Sequence, residues 1–165
     1  MKTIQKTILI LFLGVFIAPF SVKANSVYPG PVGEKIAAHR VLVKTSFVIH
    51  HAYKKVKENK VYTGNLARAI RHQKYARMLY RQGKFLRAMH QSRRARYFAI
   101  LAIQANKGTE SDDMKFSKED EMKMSKNAPS DAELDKEADA AFPNDSNKDE
   151  DMMAAEPDVD INDGE

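Results

Sequence analysis

The chain contains no cysteine. That absence excludes a disulfide-stapled scaffold, a thiol nucleophile and a Cys-ligated zinc centre, and 165 residues are too few for a multidomain enzyme. Acidic residues are almost missing from the middle of the chain: between residues 33 and 107 only Glu34 and Glu58 occur. On one helix these two would stand about 36 Å apart, so no carboxylate pair for acid–base chemistry exists there. Ser46 and Ser92 have histidines nearby in sequence but no glycine-rich elbow, which leaves a catalytic triad without support. The expectation is a protein that is not an enzyme and uses no cofactor. No run alternates with period two, so no strand is expected. The apolar run Ile8 to Phe20 has 13 residues, well short of the roughly 20 that span a bilayer.

That run nevertheless has a function to suggest. Lys2 and Lys6 precede it, and Val22-Lys23-Ala24 follows with a small residue at its end. A positive start, a short apolar stretch and a small-residue exit describe a signal peptide over residues 1–24, with the mature chain beginning at Asn25. The alternatives are an uncleaved anchor and a buried helix. The signal-peptide reading implies export to a periplasm or to the extracellular space. Residues 25–32, with Tyr28-Pro29-Gly30-Pro31, read as a stiff linker.

The overall charge of +5 conceals a segregation. Residues 33–107 carry 18 basic and 2 acidic side chains, a net of +16, whereas residues 108–165 carry 6 and 20, a net of −14. The basic block is periodic. Ala38, Val41, Leu42, Thr45, Val48, Ile49, Ala52 and Val56 recur at spacings of three and four, as on one helix face. After Gly64-Asn65, with Thr63 as a candidate cap, comes a second stripe: Leu66, Ala69, Ile70, Gln73, Ala76, Leu79 and Tyr80. Gly83 ends it. A third stripe of Phe85, Ala88, Met89, Ser92, Ala95, Ala99, Ala102 and Ile103 closes at Asn106-Lys107-Gly108. The fold class that follows is all-α: a three-helix domain over residues 33–108, its second and third helices antiparallel across a very short turn.

The stretch from Ala76 to Ala95, with Leu79-Tyr80 before Gly83 and Phe85 after it, resembles the centre of a tetratricopeptide-type helical hairpin. The resemblance implies that Gly83 makes the turn, Phe85 acts as a wedge, and Ala88 and Ala95 are the contact positions. Ser92 departs from the family, which usually has an aromatic there, and no second copy at the family's spacing is clear. One hairpin plus a flanking helix is therefore the most the resemblance implies, and any helical hairpin packed through alanine would show similar spacing.

From Thr109 onward the composition of Asp, Glu, Lys, Asn and Ser, with Pro129, Pro143 and Pro157 and only two aromatics, points to a largely disordered acidic tail over 109–165. Ala132 to Ala141 has the character of a transient helix. Asp145, Asn147, Asp149 and Glu156 occupy positions 1, 3, 5 and 12 of a calcium-loop template, but Glu150 stands where the turn glycine belongs. Weak, non-specific calcium attraction fits this pattern better than an EF-hand.

All five histidines lie in the basic block. His39 and His50 are three helical turns apart, His50 and His51 point about 100° apart, and neighbouring cations repel a divalent ion. His72 reads as a partly buried hydrogen-bonding residue and the others, His90 among them, as surface residues. No metal site is expected, and metal binding through His50 and His72 stays a third option.

The basic residues are the more telling feature. Arg68, Arg71, Lys74, Arg77 and Arg81 on the second helix, and Arg87, Arg93 and Arg94 on the third, form a candidate anion-binding face with Tyr75, Tyr97 and Phe98 among them. Nothing resembles a nucleic-acid recognition motif, so no specific nucleic acid is expected. The reading that ranks first is an exported helical interaction protein with a protein partner or self-association, its basic face masked by intramolecular contact with the acidic tail. The alternative is a binder of anionic polymers or lipid headgroups regulated by that tail.

Overall fold

The computed structural model describes residues 31–125 and 127–154. The expected signal peptide, most of the expected linker, and Glu156 and Pro157 lie outside the described residues. The fold is all-helical, with no strand among the described residues. Helix α1 spans Pro31–Asn59, α2 Asn65–Arg81 and α3 Phe85–Ala105. A single 3₁₀ turn at Asp112–Met114 follows, then α4 (Lys118–Ser125), α5 (Asp131–Ala141) and the one-turn α6 (Asp149–Met152). The first helix therefore begins inside the expected linker, where Pro31 suits a first helical position because its missing N–H has no intrahelical partner to lose. No helix of the described residues is long and apolar enough to cross a membrane.

The hairpin geometry follows from its turn. Gly83 has φ +74°, the left-handed conformation that glycine adopts without a Cβ penalty, and nothing crowds the position, so the turn needs backbone freedom rather than space. Its N–H bonds Tyr80 O at 2.9 Å and Lys84 N–H bonds Leu79 O at 3.0 Å, closing α2. His72 then meets Gln91, Gln73 meets Ser92, and Tyr80 meets Phe85, a register that runs antiparallel. On the other side His39 faces Tyr80 and Leu42 faces Gln73, so α1 also runs antiparallel to α2. At the end of α3 it is Lys107, not Gly108, that takes the left-handed conformation, with φ +59°.

Every residue of the α1 stripe is buried, and in the other two only Ile70 and Phe85 are half-buried. The core divides in two. Around Val48, Ile49, Val56, Leu66, Phe98 and Ile103 lies one apolar cluster, and around Ala38, Val41, Leu79, Tyr80, Ala88 and Met89 the other. A buried polar layer lies between them. Gln73 Nε2 donates to Leu42 O (2.9 Å) and Ser46 Oγ (3.1 Å), and its Oε1 accepts from Ser92 Oγ (3.0 Å). Arg96, 1% exposed, donates to Thr45 Oγ1, Val41 O and Met114 O, while Phe116 covers its guanidinium at 3.7 Å. Burial pulls its pKa down to about 10, against the pull of the nearby Asp120 carboxylate. Each polar group of this layer has a partner, as burial requires.

The segment after Gly108 differs from the disordered tail expected. The 3₁₀ turn and α4, α5 and α6 are laid against the block, because polar fixings add to what few apolar residues supply. Asp120, fully buried, accepts from Arg40 at 2.5 Å and from Ser117 Oγ at 2.7 Å, tying α4 to α1. Ser130 caps α5 by accepting from Glu133 N–H at 3.2 Å, half of a capping box. Asp149, also fully buried, replaces the expected Thr63 cap of α2: its Oδ2 accepts from the N–H groups of Thr63 and Gly64 at 2.8 Å each, and its Oδ1 from Ala67 N–H at 3.0 Å. Thr63 Oγ1 reaches only Asn65. A negative charge at the positive end of a helix dipole, filled by three otherwise orphaned donors, is a stronger cap than a hydroxyl. Gly64 has φ +76°, and a Cβ there would stand 2.8 Å from Asn147 O, so the glycine makes room for the incoming segment.

Candidate anion-binding face and its acidic cover

The candidate face lies on α2 and α3, and α5 is laid across it. At 100° per residue, Leu134 and Ala138 of α5 share one stripe, with Asp131, Asp135 and Asp139 on one flank and Glu133 and Glu137 on the other. Leu134 and Ala138 are fully buried. Both flanks meet cations. Arg94 grips Asp135 with two parallel bonds, Nε to Oδ1 and Nη2 to Oδ2, each 2.7 Å, and gives Nη1 to Asp131 at 2.9 Å. Arg93 bonds Asp131 at 3.0 Å, Arg68 bonds Asp135 at 3.1 Å, and Arg71 bonds Asp139 at 2.5 Å. On the other flank Arg87 holds Glu137 at 2.5 and 3.0 Å and Glu133 at 2.6 Å, and Gln91 Nε2 donates to Glu137 and to the Leu134 carbonyl, each at 3.1 Å.

Phe98 is the platform beneath this pairing. Arg68 and Arg94 lie over its ring at 3.8 and 4.4 Å, and His72 stacks on it at 5.4 Å. All three also meet Asp135, His72 through Nε2 at 3.2 Å. Burial opposes ionisation of Asp135, yet the Arg94 hydrogen bonds and the charges of Arg94, His72 and Arg68 outweigh it and hold the carboxyl below its ordinary range. The Arg87 hydrogen bond does the same for Glu137, and Glu137 in return raises the Arg87 guanidinium. Burial lowers His72, with the Gln91 bond and Asp135 pulling the other way.

Beyond α5 the chain keeps to the same face. Lys74 bonds Asp145 at 2.5 Å and lies 4.6 Å from the Phe142 ring, whose edge meets Tyr75. Arg71, only 5% exposed, also donates to Asp145 O (2.9 Å), Ser146 O (3.2 Å) and Asn147 Oδ1. The calcium-template residues thus turn to separate partners: Asp145 to Lys74, Asn147 to Arg71 and Asp149 to the start of α2. Of the remaining candidates, Arg77 turns inward to Ser46 Oγ at 3.3 Å, and Arg81 is exposed near the end of α2. Phe85 packs edge-on against Tyr80 at 5.4 Å, and Ala88 and Ala95 are fully buried.

No family model, curated protein or solved structure matches the chain.

One histidine is placed differently from expectation. His90, expected at the surface, is 2% exposed, neither ring nitrogen has a hydrogen-bond partner, and burial together with Arg93 and Arg87 pulls it down to about 4. It lines a cleft with Glu34 of α1 and Asn127 of the acidic segment, neighbours that the periodicity of α3 does not include. His50 and His51 line a second cleft with Lys44, Lys54 and Asp113. Among the described residues no group of three or more His, Asp or Glu is disposed to hold a metal ion. Sequence reasoning missed Asp135 and Gln91, and it placed Asp149 in a calcium-loop pattern rather than at the start of α2. The i, i+4 spacing of Asp131, Asp135 and Asp139 around Leu134 is the signal that could have found the first of them.

Proposed function

We propose that this chain is a non-catalytic interaction protein, exported from the cytoplasm, whose basic α2–α3 face docks an acidic protein partner and is kept covered by the chain's own acidic segment. The carboxylates divide into two classes, and that division carries the reading. Asp120 and Asp149 are buried and tether the segment at both sides of α5. Three of the five α5 carboxylates are open to water, with Asp131, Glu133 and Asp139 side chains 53%, 55% and 64% exposed, and the other two, Asp135 and Glu137, are half-buried. Exposed ion pairs are weak individually and screened by salt, so α5 is exchangeable while its tethers hold it near. The tetratricopeptide-like features support a helical docking unit: Gly83 at the turn, Phe85 against Tyr80, and alanines where the helices touch.

The test compares the full chain with its Asp131→Asn/Asp135→Asn/Asp139→Asn variant. Truncation at residue 108 is a poor substitute, because it removes the Asp149 cap of α2 and the Phe116 cover of Arg96. Titrated with an acidic peptide, the variant binds more tightly than the parent chain and loses affinity steeply with salt. Equal binding by both overturns the masking. A second reading, an anionic polymer or lipid headgroup as ligand, is favoured by the exposure of the same ion pairs. A sulfated polysaccharide that binds the variant where acidic peptides do not would select it.

A further inference from the structure

We propose that the α2–α3 face recognises its partner as an acidic amphipathic helix, and that α5 is a built-in copy of that ligand. This rests on the docking reading above and names what is docked. Charge alone does not explain the geometry of the face. A surface that reads only negative charge has no use for Leu134, yet this side chain is fully buried at the centre of the contact, with Ala138 one turn on. Anchors at i and i+4 are what a groove on two packed helices reads from a third. The cations are arranged to match: Arg68, Arg71, Arg93 and Arg94 serve the flank of Asp131, Asp135 and Asp139, and Arg87 with Gln91 serves the flank of Glu133 and Glu137. The separation of the two flanks is that of a helix carrying carboxylates on both sides of an apolar stripe. The paired bonds of Arg94 to Asp135 select a planar carboxylate, and Gln91 reaches the Leu134 carbonyl, a peptide group.

The partner read from these contacts is a helical segment with a leucine anchor, a small residue four positions on, and carboxylates at −3, −1, +1, +3 and +5 from the leucine. A partner presenting this pattern displaces α5, whose 11 residues are too few to form a stable helix alone. Tethering gives α5 an effective concentration in the millimolar range, so a free copy binds the closed chain poorly.

The experiment uses a labelled peptide with the sequence of residues 130–142 and the full chain carrying Leu134→Glu, which places a charge at the buried anchor and expels the internal helix. Anisotropy should show the peptide binding this opened chain at least about 10-fold more tightly than the parent chain. A peptide with Leu134→Glu should lose that binding although it carries one more negative charge. A peptide with Ala138→Pro, unchanged in charge but unable to continue a helix, should lose it as well. If circular dichroism shows the opened chain unfolded, the Asp131→Asn/Asp135→Asn/Asp139→Asn chain takes its place, since it keeps Leu134 and weakens one flank. Equal binding by all three peptides overturns the helix proposal and leaves acidic-partner docking standing. No peptide binding, with a sulfated polysaccharide still bound, overturns the helix proposal in favour of a polymer ligand. Binding of neither overturns the docking reading too.

Discussion

In the block from α1 to α3 the fully buried residues are mostly apolar, among them Ala38, Val41, Val56, Leu66, Ala76, Ala88, Ala95 and Ile103. Among the described residues from Asp112 to Met152 the buried ones are Met114, Met124, Leu134 and Ala138 on one hand and Asp120 and Asp149 on the other. Two of these six are carboxylates. The same chain thus holds one region chiefly by removing hydrocarbon from water, and the other by a few apolar anchors such as Met114, Met124 and Leu134 together with carboxylates satisfied by arginines and helix-end N–H groups. Salt screens exposed ion pairs but does not screen apolar burial, so concentrated salt should loosen the cover while the block stays folded.

The largest expected effect comes from breaking the apolar side of this comparison. Phe98→Ala removes a 2%-exposed ring from the larger core cluster and the platform under Arg68, Arg94 and His72. The expected loss is about 3–5 kcal/mol, and denaturant titration should show the whole chain shifting, because block and cover share this residue. Asp149→Ala comes next. It leaves the N–H groups of Thr63, Gly64 and Ala67 without their carboxylate. A loss of about 1–3 kcal/mol is expected. Hydrogen exchange should quicken in the first turn of α2 and from Phe142 onward while α3 stays protected; uniform quickening would mean that cover and block are not separable.

How much of this could be read beforehand differs by region for the same physical reason. The stripes of α1, α2 and α3 are legible because apolar burial writes a period of three and four into local sequence, and Val41, Leu66, Ala88 and Ala99 all lie where that period puts them. Polar fixings leave no such mark. Asp149 caps a helix that starts more than eighty residues earlier, and nothing local distinguishes it from Asp151, which is exposed. The charge segregation between the two regions is visible in composition, but which carboxylate meets which guanidinium depends on how the segment crosses α2 and α3. His90 shows the converse: its own helix reads it as polar surface, yet it is 2% exposed, beside a cleft that Glu34 of α1 and Asn127 of the acidic segment also line.

Acid should separate the regions in two windows. His90 titrates at about 4 in the folded chain against an ordinary 6.5, and His72 is lowered too. Between these values the unfolded chain binds a proton that the folded chain refuses, so stability is full above about pH 6.5 and falls as pH drops toward 4. His90→Leu should flatten that slope in denaturant titrations at stepped pH, and an unchanged slope would show that His90 is not the group responsible. The carboxyls of Asp135 and Glu137 lie below their ordinary values. Their attraction is fully present above the unfolded values of about 4 and is lost only as pH falls below that. The histidine window thus loosens the block, and a lower one releases the cover.

The smallest expected effect falls on the exposed flank. Asp131→Asn removes the partner of Arg93 and one of the two carboxylates on Arg94, yet the Asp131 side chain is 53% exposed. Such a pair contributes about 0.2–1 kcal/mol at low salt and less as salt rises, since water and counterions replace what the pair supplied. Thermal melts of the full chain should barely move, and the residual shift should vanish in concentrated salt. Exchange of the α5 amides should nonetheless quicken, because the helix is held across the hairpin by several such contacts and by one leucine. A change that is silent in global stability but audible in α5 is the signature of a cover weakly held over a well-packed block; a loss as large as that from Asp149→Ala would make α5 part of the core instead.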